Sequence, residues 1–160
     1  MTDQTRRQVS LDRVDEGVYL ARNARGGELR FGSKAGDGFT PVELLLAAIA
    51  GCTAVDLDVV TGRRSAADRF AAEVDAEYVR DETGNVLRDI RLTFQVEFPE
   101  GAAGDAARAI LPRALKTSHD RTCTVSRTIE AGTPVTVRLA QRSVDDSGPD
   151  DSGPDAGVAS

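Results

Sequence analysis

The longest apolar stretch of the chain spans residues 44–55 and contains no charged side chain. Strong helix-start signals precede it: Thr40 is a favoured N-cap, Pro41 suits the first helical position, and Glu43 completes a Thr-x-x-Glu capping box. The pattern predicts a helix that begins at Thr40 and ends just before Gly62. Because its middle is apolar on every side, we expect this helix to be enclosed by protein.

Strict alternation of apolar and polar residues marks two segments after this helix, 70–78 and 90–98, joined by a turn at 81–85. A period of two predicts an antiparallel hairpin with one buried and one exposed face. Shorter segments of strand character, 18–22 and 28–32, lie before the helix and are predicted to form a first hairpin.

The C-terminal half continues with a predicted helix over 102–118, which Pro112 should kink or split. Further helical turns are predicted over 123–129, and a last strand over 134–139. Strands and helices therefore come in blocks rather than in alternating β-α-β units, which indicates the α+β class.

Composition divides the chain into three parts: a polar, loose N-terminus (1–16), one domain (17–140) and a tail (141–160). The tail holds five Asp against one Arg and repeats Asp-Asp-Ser-Gly-Pro, so we expect it to be disordered. Much of the formal net charge of −6 belongs to this tail. The absence of a basic block argues against nucleic-acid binding.

Targeting signals are not evident in the sequence. The N-terminus lacks the apolar segment of a secretory signal, and the apolar stretch at 44–55 is shorter than the ~20 residues of a membrane span. We therefore expect a cytoplasmic protein with no membrane association. In that reducing compartment two cysteines are catalytic, redox-sensing or inert rather than a structural disulfide.

The two cysteines are the main candidates for chemistry. Cys52 lies inside the apolar stretch, and Cys123 lies far along the chain. Apolar surroundings and the charge of Asp56, one turn away, should raise the pKa of Cys52, so a reactive Cys52 needs a cation from outside its helix. An inert, buried Cys52 remains an alternative. Two Cys and one His without paired spacing do not make a metal site.

Three segments resemble the OsmC/Ohr family of osmotically inducible and organic hydroperoxide resistance proteins. These are RFGSK at 30–34, TPVELLLAAIAGCT at 40–53 and CTVS at 123–126. The order of elements over 17–140 is also similar to that of the family, and the context of the segments is closest to its OsmC-like branch. The resemblance implies an OsmC-like fold, with antiparallel sheets around a long central cysteine helix, in an intertwined homodimer.

The resemblance also implies a mechanism. Cys52 would attack an organic hydroperoxide and become a sulfenic acid, and Cys123 would resolve it to an intramolecular disulfide. An external dithiol such as a lipoyl group, or a lipoylated protein, would reduce the disulfide, and no other cofactor is implied. An aliphatic pocket would suit fatty-acid-like hydroperoxides.

The resemblance further implies an arginine beside the Cys52 thiolate. Arg30 matches the OsmC branch, and Arg22 and Arg25 are the alternatives in the earlier hairpin. The family's functional Glu directly follows the proline, where this chain has Val42. Glu43 is the substitute candidate, although its capping box explains it without catalysis.

His119, the only histidine, is either a helper of Cys123 or a polar residue near a helix end. Two further functions also stay open. One is a non-enzymatic protein that binds an apolar ligand, which Val42 favours, and the other is a thiol redox sensor.

Overall fold

The computed structural model describes residues 5–139, and the fold begins with a three-stranded antiparallel sheet. Its strands are β1 (Val9–Asp15), β2 (Val18–Asn23) and β3 (Glu28–Phe31), in that spatial order. Both strands of the predicted first hairpin are confirmed. Strand β1 corrects the prediction of a loose segment over 1–16: its side chains are all exposed, but its backbone pairs with β2. Main-chain pairing needs no apolar pattern, so the sequence did not reveal this strand.

Helix α1 spans Pro41–Gly62 and confirms the predicted start. The backbone N–H of Thr40 donates to Oε2 of Glu43 at 2.7 Å, and the hydroxyl of Thr40 donates to the same oxygen at 2.8 Å. In return, the backbone N–H of Glu43 donates to Oγ1 of Thr40 at 3.3 Å. The capping box is therefore complete and fixes the helix start.

Only one face of α1 is buried, so the prediction of an enclosed helix is wrong for the protomer. The buried residues repeat at every fourth position: Ile49, Thr53, Leu57 and Thr61. The other side leaves apolar side chains exposed: Leu45 by 41%, Val55 by 64% and Val59 by 53%. By length and composition alone α1 is also apolar enough to cross a membrane, which the count over 44–55 did not reveal. The exposed face of α1 therefore needs a cover.

The second predicted hairpin is confirmed as β4 (Arg69–Asp81) and β5 (Gly84–Glu97), which form a two-stranded antiparallel sheet. Its register shifts between Asp75 and Glu77. Asp75 pairs with Arg91 and Glu77 pairs with Arg88, so the extra residue of this bulge lies on β5. Tyr78 pairs with Leu87 and, although the alternation predicts that it faces the core, it is 62% exposed.

Helix α2 spans Ala102–Thr117 and packs against α1. Pro112 lies inside it without splitting it. Its buried residues are Gly104, Ala107 and Ala114. The apolar pattern predicts a buried face of Ala106, Ile110, Ala114 and Leu115, of which Ala114 is buried and Ile110 is half-buried. The small buried residues allow close approach: a Cβ on Gly104 would lie 1.8 Å from the carbonyl oxygen of Pro99.

A five-residue π-helical segment, Ser118–Thr122, follows α2 and leads through Cys123 into α3 (Thr124–Glu130). Both elements contact α1. The strand predicted over 134–139 is absent from the described part of the chain, where Val135 and Val137 are each 86% exposed. Its alternating pattern suits a strand, but a strand forms only where a neighbouring strand supplies hydrogen bonds, and none does so within residues 5–139. The predicted tail at 141–160 lies outside the described residues.

Candidate functional site

The two cysteines are brought together by the packing of α3 against α1. Cys52 lies on α1 and is half-buried, whereas Cys123 precedes α3 and is fully buried. Both are free thiols, and each contributes to the pKa of the other, so the two side chains are neighbours. A disulfide between neighbouring thiols requires that their Cα atoms lie within ~7 Å of each other.

Three polar groups converge on the sulfur of Cys123. Oγ1 of Thr53 donates to this sulfur at 3.5 Å, and the backbone N–H of Ser126 donates to it at 3.5 Å. The hydroxyl oxygen of Ser126 lies 3.2 Å from the same sulfur. Thr53 comes from α1 and Ser126 from the first turn of α3, so both helices hold the Cys123 thiol.

The two thiols differ in acidity. Burial acts to raise the pKa of Cys123, but hydrogen bonds from Ser126, Thr53 and Cys52 outweigh it and lower the pKa below the ordinary value of a thiol. Burial raises the pKa of Cys52, and the neighbouring Cys123 raises it further. Hydrogen bonds from the backbone N–H groups of Val125 and Thr124 lower this pKa but do not offset the increase. Cys123 is therefore the more acidic thiol, which sequence reasoning did not predict.

The arginines proposed to activate Cys52 lie in the N-terminal sheet. Arg30 is an exposed residue of β3 with no ion pair among residues 5–139. Arg22 already bridges Asp12 at 2.6 Å and Glu28 at 2.8 Å. The groups with the largest effects on the pKa of Cys52 include no arginine.

Glu43 is committed to the helix cap. Its carboxylate accepts both hydrogen bonds from Thr40, and these lower its pKa. Val42, at the position of the family's glutamate, is 40% exposed. Nε2 of His119 lies 3.7 Å from Oε1 of Glu130, and His119 is part of the wall of the cleft described below.

Asp56 has a structural role that the sequence did not indicate. Its Oδ2 accepts hydrogen bonds from the hydroxyls of Ser118 at 2.7 Å and Thr122 at 2.6 Å. These contacts tie α1 to the segment directly before Cys123. The partners lie 62 and 66 residues further along the chain, so spacing in the sequence carried no signal of the contact.

A cleft of about 650 Å³ lies beside Cys123, although neither cysteine is part of its wall. Thr53 and Ser126, which hydrogen-bond to Cys123, form part of its wall. The apolar part of the wall consists of Ile49, Leu87, Ile90, Leu92, Pro112, Leu115 and Ile129. This volume and lining are typical of a site for a small apolar molecule.

Comparison with known proteins agrees with this fold. A family model described as OsmC-like protein matches residues 34–138. An uncharacterized protein of Mycobacterium tuberculosis is 29% identical over 133 residues, covering 82% of this chain and 95% of the relative.

Two solved structures are similar in fold. A hypothetical protein from Aquifex aeolicus has a TM-score of 0.64 and 22% identity, covering 81% of this chain and 91% of that chain. An OsmC-like protein of unknown function from Vibrio cholerae has a TM-score of 0.64 and 11% identity, covering 79% of this chain and 95% of that chain. The chain has the OsmC-like fold, with antiparallel sheets and helices, and it belongs to the OsmC-like protein family.

Proposed function

We propose that this protein is a thiol-dependent peroxidase that reduces organic hydroperoxides with Cys52 and Cys123. The observation that supports the proposal most is that two free thiols distant in sequence are neighbours, each affecting the pKa of the other. Two inert cysteines would have no reason to meet, and one of them is held by three polar groups. Membership of a family that includes hydroperoxide resistance proteins points to the same chemistry.

In the proposed reaction the Cys52 thiolate attacks the distal oxygen of the hydroperoxide. The O–O bond breaks, the alcohol leaves after taking up a proton, and Cys52 becomes a sulfenic acid. The Cys123 thiolate then attacks that sulfur, hydroxide leaves and takes up a proton to form water, and the disulfide forms. The lowered pKa of Cys123 suits this second step, because the resolving thiol is then readily available as a thiolate.

The first step needs help from outside the protomer, because burial raises the pKa of Cys52. An arginine beside the sulfur would lower this pKa again. Arg30 is our first candidate, since it has no ion pair among the described residues, whereas Arg22 is held by two carboxylates. Arg25 is the remaining candidate. Glu43 acts in this proposal as the cap that sets the start of α1.

A homodimer would both cover α1 and supply this arginine. The exposed apolar face of α1 runs alongside Cys52, and apolar patches of this kind mark interaction sites. The unpaired segment at 134–139 exposes a second set of apolar side chains, with Leu139 exposed by 95%. Both features fit an intertwined homodimer in which the exposed apolar side chains of one protomer are buried against its partner.

The substrate would be an organic hydroperoxide with an apolar tail, because the cleft beside Thr53 and Ser126 is lined mainly by aliphatic side chains. An external dithiol, such as a lipoyl group on a carrier protein, would reduce the disulfide. We place this activity in the cytoplasm, with no role for nucleic acid or membrane.

The test of the proposal is thiol loss in the fully reduced protein after one equivalent of cumene hydroperoxide, with hydrogen peroxide in parallel. We expect rapid loss of both thiols, faster with cumene hydroperoxide. Cys52→Ser should abolish the reaction, and Cys123→Ser should stop it at the sulfenic acid, which dimedone traps. Arg30→Met should slow the first step, with Arg13→Met, an exposed arginine of β1, as the matched control. Thiols that persist for an hour would refute peroxidase activity.

The homodimer is tested separately by light scattering after gel filtration. Val55→Glu places a charge on the exposed face of α1 and should produce monomers. Val86→Glu, an exposed valine on the β4–β5 hairpin, is the matched control and should not. A wild-type protein that is monomeric at micromolar concentration would contradict this part of the proposal.

A second candidate function is the binding of an apolar ligand without catalysis. Val42 in place of the family's glutamate and the raised pKa of Cys52 favour it, together with the apolar cleft. Persistent thiols combined with a fatty acid that copurifies with the protein would support this function. A redox sensor would instead form the disulfide but turn over poorly with a dithiol.

A further inference from the structure

The reduced thiol pair is asymmetric in a way that bears on how its disulfide is reduced. Cys123 has no exposed surface, and its sulfur is surrounded by the hydroxyl of Thr53 and by the hydroxyl and amide of Ser126. Cys52 is half-buried on α1 and keeps some exposed surface. The two sulfurs of the disulfide therefore differ in access and in the groups around them.

Thiol–disulfide exchange is sensitive to both differences. An attacking thiolate forms a bond to one sulfur, and the other sulfur leaves with the electron pair. The reaction is faster at an accessible sulfur and faster when the leaving thiol has a low pKa. The free-thiol structure described above is the product of this reduction, so its hydrogen bonds are those that receive the leaving thiolate.

We propose that an external dithiol attacks the sulfur of Cys52 and that Cys123 leaves as a thiolate held by Thr53 and Ser126. The S–S bond breaks, a mixed disulfide forms between Cys52 and the reductant, and the electron pair goes to Cys123. The second thiol of the reductant then attacks the reductant sulfur of the mixed disulfide. This step releases the Cys52 thiolate, which takes up a proton, and the reductant departs as a disulfide, oxidised by two electrons.

The opposite course meets two obstacles. Attack on Cys123 would bring a reductant to a sulfur with no exposed surface, behind Thr53 and Ser126 in the wall of the cleft. It would also expel Cys52 as the leaving thiolate, although burial and the neighbouring Cys123 raise the pKa of that thiol. Access and leaving-group stability therefore select the same sulfur.

The inference rests on the proposed Cys52–Cys123 disulfide couple, but its test needs no peroxide. Full-length protein is oxidised with diamide, treated briefly with glutathione, quenched with acid and alkylated with N-ethylmaleimide. Trypsin separates the thiols into the peptides 35–63 and 122–127. We expect glutathione on Cys52 and N-ethylmaleimide on Cys123. Glutathione found mainly on Cys123 would overturn the inference, and so would failure of diamide to form the disulfide.

Variants test the receiving groups. Thr53→Val and Ser126→Ala each remove one hydroxyl, and each should slow reduction of the disulfide by dihydrolipoamide about threefold to tenfold. Thr53→Ser should restore the rate. Thr61→Val is the matched control, because Thr61 is equally buried on α1 but its hydroxyl bonds to the carbonyl of Leu57. Equal rates in all variants, with unchanged melting temperatures, would refute the role of these hydroxyls.

The two proposals fail separately. If diamide forms the disulfide and glutathione attaches to Cys52, but hydroperoxides consume no thiol, then the peroxidase function is refuted and the exchange mechanism stands. If hydroperoxide forms the disulfide but glutathione attaches to Cys123, then the function stands and the exchange mechanism is refuted.

Discussion

Replacing Asp56 by alanine removes both hydrogen bonds that tie α1 to the segment before Cys123. Ser118 is 1% exposed, so its hydroxyl would be left buried without the carboxylate that accepts its hydrogen bond. An unsatisfied buried hydroxyl costs about 1 to 3 kcal/mol. Thr122 is exposed and can turn to water, so its lost bond should cost less, about 1 kcal/mol. We therefore expect a decrease in the free energy of unfolding of about 2 to 4 kcal/mol.

Urea unfolding followed by circular dichroism measures this change, at one protein concentration because the proposed dimer makes stability concentration-dependent. Asp58→Ala is the matched control: Asp58 is exposed on α1, and its carboxylate makes no hydrogen bond or ion pair within residues 5–139. In a Cys52→Ser background the loosened segment should also let Ellman's reagent reach Cys123 about tenfold faster or more. Stabilities of the two alanine variants within about 0.5 kcal/mol of each other would refute the reasoning.

Four further substitutions probe the helix cap and two helical glycines. Thr40→Ala should cost about 1 kcal/mol in urea unfolding. Because the pKa of Glu43 is lower in the folded protein, its carboxylate stabilises the fold at pH values above its unfolded pKa, and this stability is lost as pH falls through the folded pKa. Glu43→Gln should therefore make the free energy of unfolding less dependent on pH in the acid range. A Cβ on Gly51 meets nothing within 4 Å in the protomer, so Gly51→Ala should stabilise a monomer by about 1 kcal/mol. If the variant instead has a lower Tm and its dimer dissociates, then the partner subunit packs against Gly51. Gly104→Ala should lower the Tm by several degrees, because its Cβ would collide with Pro99; an unchanged Tm would contradict that packing.

The elements that the sequence predicted correctly are those that depend on residues close together in the chain. The capping box of Thr40 and Glu43 predicted the start of α1, and the alternation at 90–98 predicted strand β5. The strands that the sequence misplaced depend on neighbours instead. Strand β1 exists because β2 offers it hydrogen bonds, and the segment at 134–139 finds no such partner in the described chain. Tyr78 continues the alternation of β4 but is 62% exposed, because exposure depends on what packs over a strand.

The sequence by itself determined the α+β order of elements, the cysteine helix and the identity of the two candidate thiols, since helix caps, periodicity and residue type are properties of short segments. Only the tertiary structure decided that Cys52 and Cys123 meet, that Thr53 and Ser126 make Cys123 the more acidic thiol, and that one face of α1 is left uncovered. Acidity depends on which donors surround a sulfur, and those donors come from segments that are distant in sequence and are brought together only by packing.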